Sequence, residues 1–146
     1  MPSRLRKLLS VDARSWRDLI QAQLALVRSE WRLKRQPIGA LAIRKPADPD
    51  QVSGDPVRAR ELALAVTRAA AHGLVRPYCL AQALAIRALL DAHGIRGAII
   101  RVGVRRHAGE FQAHAWVTWA GEILGDRPAH IATFTEVDDL RVLRRT

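Results

Sequence analysis

The sequence predicts an α+β fold, in which N-terminal helices and a central cysteine-bearing helix pack on a small antiparallel β-sheet. Up to about residue 93, apolar residues recur at spacings of three and four, which is typical of helices. From about residue 97 the apolar period changes to two, and short turns separate the segments. Strands joined by connections this short pair antiparallel, so a helical half is followed by a sheet.

The composition limits the protein to a few classes. A chain of 146 residues suits one domain, and its net charge of +10 favours nucleic acid, a membrane surface or an acidic protein as partner. No nucleic-acid-binding motif is present and aromatic residues are few, so we expect no nucleic-acid binding. No apolar run is long enough to cross a bilayer and no secretory signal is present, which predicts a soluble, cytoplasmic protein.

Residues 1–54 are predicted to form a helical region and a linker within the same domain as residues 55–146. Leucines between residues 5 and 9 suggest a short first helix, and the segment from Pro37 to Gly54 is rich in proline and reads as an irregular connection. Between them lies a long amphipathic helix with a basic fringe. Its apolar side consists of Trp16, Leu19, Ile20, Gln23, Leu24, Val27 and Trp31. We expect this side to pack on the domain; a docking or membrane-surface helix is the alternative.

Another helix is predicted from Pro56 to about Ala71. Asp55 is suited to accept hydrogen bonds from the first turn, and proline at the first helical position loses no hydrogen bond. The helix is expected to bury Leu62, Val66 and Ala69 or Ala70. His72 and His93 each precede a glycine at a helix end, and we interpret both as structural.

The central helix begins after Pro77 and ends before Gly94. It is apolar on almost every side, which is typical of a helix surrounded by protein. Cys79 lies in its first turn, where unpaired backbone N–H groups and the helix dipole favour a thiolate. A buried free cysteine is also often only a small hydrophobic residue. The helix alone does not separate these two interpretations.

Strands are predicted over residues 97–104, 111–119, 122–126 and 131–134, with residues 105–110 as a connecting loop and a tight turn at Ala120-Gly121. Alternation along the second strand puts His114 on the same side as Trp116. Pairing about the tight turn brings Ile123 near Thr118 and Asp126 within about one position of His114 or Ala115.

This pairing predicts a catalytic set. A carboxylate at one imidazole nitrogen fixes the tautomer and stabilises the imidazolium, and the other nitrogen can then take a proton from a thiol. If the sheet packs on the start of the central helix, that thiol belongs to Cys79. The candidate catalytic residues are therefore Cys79, His114 and Asp126.

No metal or cofactor site is predicted. A single cysteine excludes an internal disulfide and a cysteine-rich zinc site. The remaining candidates have no metal-ligand spacing, and Asp138-Asp139 reads as a helix start or a solvated pair. The candidates are His107, His130, Glu110 and Asp91.

The order cysteine, histidine, aspartate, on a helix followed by an antiparallel sheet, is that of papain-like and transglutaminase-like enzymes. Several segments together resemble the leader peptidase of lasso-peptide biosynthesis, a transglutaminase-like cysteine protease. They are residues 79–90, 93–95, 101–104 and 111–117, followed by Gly125-Asp126. The helical N-terminal half is also similar to the helical region that precedes the protease core in that family.

The resemblance implies a protease core over residues 55–146, with Cys79 as nucleophile, His114 as general base and Asp126 as orienting acid. It implies a stand-alone enzyme that takes a precursor leader peptide presented by a separate leader-recognition protein and passes the core peptide to a lasso cyclase. It also implies cleavage near a threonine of the leader, and no cofactor. Two alternatives remain: an acyl-transfer enzyme of the same superfamily, and a non-catalytic partner in a peptide-maturation complex.

Overall fold

The three long helices precede the strands, and only one short helix lies between the last two strands, so the fold is α+β as predicted. The structure is a computed structural model that describes residues 12–36, 51–73 and 78–137. The predicted first helix, most of the linker and Asp138-Asp139 lie outside these residues. The helices are α1 (Ala13–Arg35), α2 (Pro56–His72), α3 (Cys79–Ala92) and α4 (Pro128–Ile131), and the strands are β1 (Ile99–His107), β2 (Glu110–Trp119), β3 (Glu122–Leu124) and β4 (Thr135–Glu136).

Helix α3 is the centre of the molecule and packs against α1, α2 and the β2 strand. Half of its buried side chains are alanines, which allow neighbouring helices to approach closely, and Ile86, Leu89 and Leu90 fill the core. Gly94 ends the helix region with a φ of 74°, the left-handed conformation that the sequence predicts. In the described part of the chain, no helix is long and apolar enough to cross a membrane.

The local signals in α2 and at the end of α3 hold in the structure. Asp55 accepts a hydrogen bond from the backbone N–H of Val57 at 3.1 Å, and Leu62, Val66 and Ala69 are buried. His93 has a structural contact, because its Nε2 lies 2.8 Å from the Gln21 side-chain oxygen and so joins α3 to α1. Burial lowers the pKa of His93, which favours the neutral ring in this contact.

The sheet is antiparallel, with strand order β3-β2-β1-β4. The prediction of a connecting loop over residues 105–110 is wrong, because β1 runs on to His107 and β2 begins at Glu110. Only Ala108 and Gly109 form the turn, with φ values of 51° and 81°. Two residues with positive φ match the twist of a hairpin, so the strands stay paired up to the turn.

The segment after β3 also differs from the prediction. The third strand ends at Leu124 rather than Asp126, because Gly125 takes a φ of 78° and turns the chain. A side chain at Gly125 would collide with Ile86. The strand predicted over residues 131–134 is wrong: Pro128 starts the short helix α4, and the chain pairs with β1 only at Thr135–Glu136.

Helix α1 packs with a different face from the one predicted. Most of the apolar side chains expected in the core are exposed, although Leu19 is half-buried against it. The buried face carries Asp18, Ala22, Leu26, Ser29 and Glu30. The small residues allow close packing against α3, and the two acids have partners: Arg58 binds Asp18, and the backbone N–H of Tyr78 donates to Glu30.

The Asp18–Arg58 pair is expected to contribute strongly to stability. Two guanidinium nitrogens of Arg58 lie 2.6 and 2.7 Å from the Asp18 carboxylate oxygens, and the side chains are only 11% and 8% exposed. Asp18→Asn leaves the buried Arg58 guanidinium with Glu61, 3.1 Å away and more exposed, as its remaining ion partner. We therefore expect the substitution to lower the free energy of unfolding by about 2 kcal/mol at pH 7. Glu122→Gln, which breaks the exposed pair with Arg60, is the control and should change stability much less.

Hydrogen bonds from Arg58 hold the pKa of Asp18 below its ordinary value of 3.8. The stabilisation is therefore complete above that ordinary value and is lost as the pH falls through the lower pKa of the folded state. Urea unfolding at several pH values should show a weaker acid dependence for Asp18→Asn than for the unmodified chain. If Asp18→Asn and the unmodified chain lost the same amount of stability on acidification, this assignment would be contradicted.

Candidate active site

Cys79 is the first residue of α3, and its thiol is free and half-buried. Tyr78, at the preceding position, offers no side-chain hydrogen bond to the helix start. The first backbone N–H groups of α3 have no acceptor within the helix. A negative oxygen formed beside the sulfur can therefore accept hydrogen bonds from these groups.

A short hydrogen bond joins His114 to Asp126. His114 Nε2 lies 2.6 Å from Asp126 Oδ2, and the pairing of Thr118 with Ile123 in the β2–β3 hairpin sets this approach, as the sequence indicated. With Nε2 bound to the carboxylate, Nδ1 is the ring nitrogen that remains for a thiol. The pair thus has the arrangement of a base and its orienting acid.

Cys79, His114 and Asp126 line one small cavity of about 30 Å³, which has room for one or two water molecules. No direct hydrogen bond joins the Cys79 sulfur to the His114 ring in the structure. Catalytic contacts are often longer in the unliganded state and tighten with substrate. The structure thus brings the three predicted residues to one cavity, and their catalytic roles stay a prediction.

His130 also binds the Asp126 carboxylate, and sequence reasoning missed this contact. Its Nδ1 lies 3.0 Å from Asp126 Oδ1, and the backbone N–H of Arg127 donates to the same oxygen at 2.7 Å. Burial works to raise the pKa of Asp126, but these bonds and the one from His114 outweigh it and hold that pKa below its ordinary value. The spacing of four residues between Asp126 and His130, across the helix start at Pro128, was the available signal.

Aromatic rings surround the His114 imidazole. Phe134 stacks on it with ring centres 5.1 Å apart, Trp116 lies on the same side of β2 at 6.3 Å, and His130 meets it edge-on at 4.9 Å. Arg105 covers Phe134 at 4.4 Å from its ring centre. Such packing limits rotation of the imidazole and so helps to hold it in its hydrogen bond with Asp126.

Gln82 is a further polar residue at the cavity that the sequence did not single out for a role. It lies one turn after Cys79 on α3, and residues three apart on a helix share a face. Its side-chain amide can therefore donate a hydrogen bond into the same space.

The donor atoms of His114, Asp126 and His130 lie within 4.8 Å of one another, close enough to hold a metal ion. The spacing argument did not detect this group. His114 Nε2 and His130 Nδ1 each already bind the Asp126 carboxylate, so the three residues also form a hydrogen-bond network by themselves. The absence of a metal in the working protein stays a prediction.

Comparison with known proteins adds one match. The family model described as "Transglutaminase-like superfamily" matches residues 20–138, which include all of the candidate site. No curated protein and no solved structure matches the sequence.

Proposed function

Because the chain belongs to the transglutaminase-like superfamily, which includes cysteine-type enzymes, we propose that it is a cysteine peptidase that removes the leader from a lasso-peptide precursor. The observation that carries the proposal is the cavity shared by Cys79, at the start of a buried helix, and the hydrogen-bonded pair of His114 and Asp126. The sequence pattern from residue 79 to Asp126 supports the finer choice of substrate, through its resemblance to the lasso leader peptidases.

The proposed reaction is hydrolysis of the peptide bond at the junction of leader and core. Nδ1 of His114 takes the thiol proton as the Cys79 sulfur attacks the carbonyl carbon, and then gives it to the leaving amine. Asp126, bound to Nε2, stabilises the imidazolium that exists between these two proton transfers. A water molecule deprotonated by His114 then attacks the thioester, which frees the leader acid and restores the thiol.

The negative oxygen formed during attack needs hydrogen-bond donors. The first backbone N–H groups of α3 are donors beside the sulfur, and the Gln82 amide is the side chain we propose as the second donor. Both belong to the helix that carries Cys79, so a single rigid element would hold the nucleophile and the donors.

A second, open groove adjoins the site and is the proposed position for leader residues next to the cleaved bond. It has a volume of about 480 Å³ and shares Leu124, Gly125 and Asp126 with the small cavity. Its other walls are three apolar residues, one hydroxyl and two arginines: Ala63, Leu64, Ile123, Thr67, Arg60 and Arg127. The small cavity cannot take a peptide segment, so the peptide would lie across its mouth with one carbonyl inside.

The proposed partners follow from the resemblance. The leader would arrive on a separate leader-recognition protein, and the released core would go to a lasso cyclase. An acyl-transfer enzyme is the competing function, since the superfamily carries the name of transglutaminases and an amine could replace the water.

Product mass distinguishes these functions. The purified chain, a lasso precursor and its leader-recognition protein are incubated with and without a primary amine. Peptidase activity predicts a free leader acid in both samples, heavier than the acyl fragment by one water. A leader that carries the amine in the second sample would identify acyl transfer, and an intact precursor in both would overturn the catalytic proposal.

His130 is expected to position the catalytic pair rather than to touch the substrate. In His130→Ala the Asp126 carboxylate loses one of its donors, so the pKa of Asp126 should rise and the acid limb of the pH profile of kcat should move to higher pH. We expect kcat to fall by about tenfold at neutral pH, with little change in KM.

His130→Asn is the matched variant, because its amide nitrogen lies where Nδ1 lies in histidine. It should restore most of kcat and the original acid limb. A loss confined to KM, or an unmoved acid limb in His130→Ala, would contradict the positioning role.

A further inference from the structure

Helix α1 exposes a row of large apolar side chains on one side, which we call the apolar stripe. Its members are between 42% and 58% exposed, although they are large enough to fill a core. They are Trp16, Ile20, Leu24, Val27 and Trp31. Contiguous exposed apolar surface of this kind marks an interaction site in soluble proteins.

The charge beside the stripe has one sign. Arg17 and Arg28 each follow a stripe residue by one position, so both lie on the same flank of the helix. Both acids of α1, Asp18 and Glu30, are buried and bound within the protein. The exposed charged residues of α1 are therefore all basic, and Arg35 packs over the Trp31 ring at 4.4 Å.

The spacing within the stripe fits another helix. Ile20, Leu24, Val27 and Trp31 are separated by four, three and four residues, the repeat of a two-helix seam. A helix that lies on a membrane carries a broader apolar face than this narrow seam. A second copy of the chain would bring one basic flank against another, which is unfavourable.

We propose that the apolar stripe binds an acidic amphipathic helix of a partner protein. The apolar side of that helix would cover the stripe, and its carboxylates would pair with Arg17 and Arg28. The stripe ends at Trp31, next to Glu30, which accepts the hydrogen bond from the residue before Cys79. Binding of such a helix does not require that the proposed cleavage be correct.

The test uses the full chain and two synthetic helical peptides of about three heptads, with leucine on one side and either glutamate or lysine along its edges. Trp16 and Trp31 report binding by their fluorescence. We expect the glutamate peptide to bind at least about tenfold more tightly than the lysine peptide, with a difference that shrinks in high salt.

Two sets of variants sharpen the test. The double variant Leu24→Gln with Val27→Gln should bind the glutamate peptide about tenfold more weakly, or weaker still. Val57→Gln, at an exposed apolar residue of α2, should not change this affinity. Arg17→Glu with Arg28→Glu should reverse the preference between the two peptides. All these side chains are exposed, so circular dichroism should show an unchanged fold.

Several results would overturn the proposal. They are equal affinity for both peptides, no binding of the glutamate peptide, and loss of binding in Val57→Gln as large as in the stripe variant. Binding to phosphatidylglycerol vesicles without binding to the peptide would indicate a membrane surface instead. If the chain is a dimer that dissociates in the stripe variant, the stripe binds a second copy instead. Peptide binding that appears only after deletion of residues 1–11 would indicate that this segment covers the stripe.

Discussion

Cys79→Ala is expected to lower precursor cleavage by at least about 1,000-fold, because it removes the atom that forms the acyl-enzyme. The variant should keep its fold, since the thiol is small and only half-buried at the first residue of α3. Cleavage is followed by mass spectrometry over time, and a thermal melt shows that the protein remains folded.

A thiol moved within the same cavity is the matched control. Ala83 lines that cavity one turn further along α3, so Cys79→Ala combined with Ala83→Cys keeps a sulfur nearby but takes it away from the helix start. This double variant should stay inactive. Undiminished cleavage by Cys79→Ala would mean that the thiol only packs, and full activity of the double variant would contradict the role of the helix start.

Asp126→Asn is expected to lower kcat by about 100- to 10,000-fold. Its amide cannot stabilise the imidazolium, and an NH2 group facing Nε2 of His114 would favour the tautomer with a proton on Nδ1. That tautomer cannot take the proton of the Cys79 thiol. The measurement is kcat and KM for the variant and the unmodified chain at neutral pH.

Glu122→Gln is the control for this second prediction, because Glu122 is another acid of the same hairpin but is exposed and bound to Arg60. It should leave kcat unchanged. A fall of less than about threefold in Asp126→Asn, or a change in KM alone, would show that the carboxylate does not act through His114.

Much of the candidate site could be predicted because it depends on local rules. Asp55 and Gly94 mark helix ends through backbone chemistry within a few residues. Alternation along β2 and a tight turn set the pairing of Thr118 with Ile123, and from that pairing the approach of Asp126 to His114 follows. Such features need no knowledge of the rest of the fold.

Other features depend on contacts between distant parts of the chain. The buried face of α1 was predicted wrongly because Asp18 is buried by Arg58, which lies 40 residues away and has no signal in the helix period. His130 and Phe134 reach His114 only because the chain turns back at Gly125. Apolar periodicity reports amphipathic character, but it does not say whether the apolar side faces the core or a partner.

His114 is expected to activate the Cys79 sulfur, and alkylation of that sulfur tests this activation without any substrate. Cys79 is the only cysteine in the chain, so incorporation of iodoacetamide measured by mass spectrometry reports its reactivity alone. At pH 6, the unmodified chain should be alkylated at least about tenfold faster than His114→Ala, because the imidazole can take the thiol proton as the sulfur attacks the reagent. Equal rates in the two proteins would show that His114 does not activate the thiol.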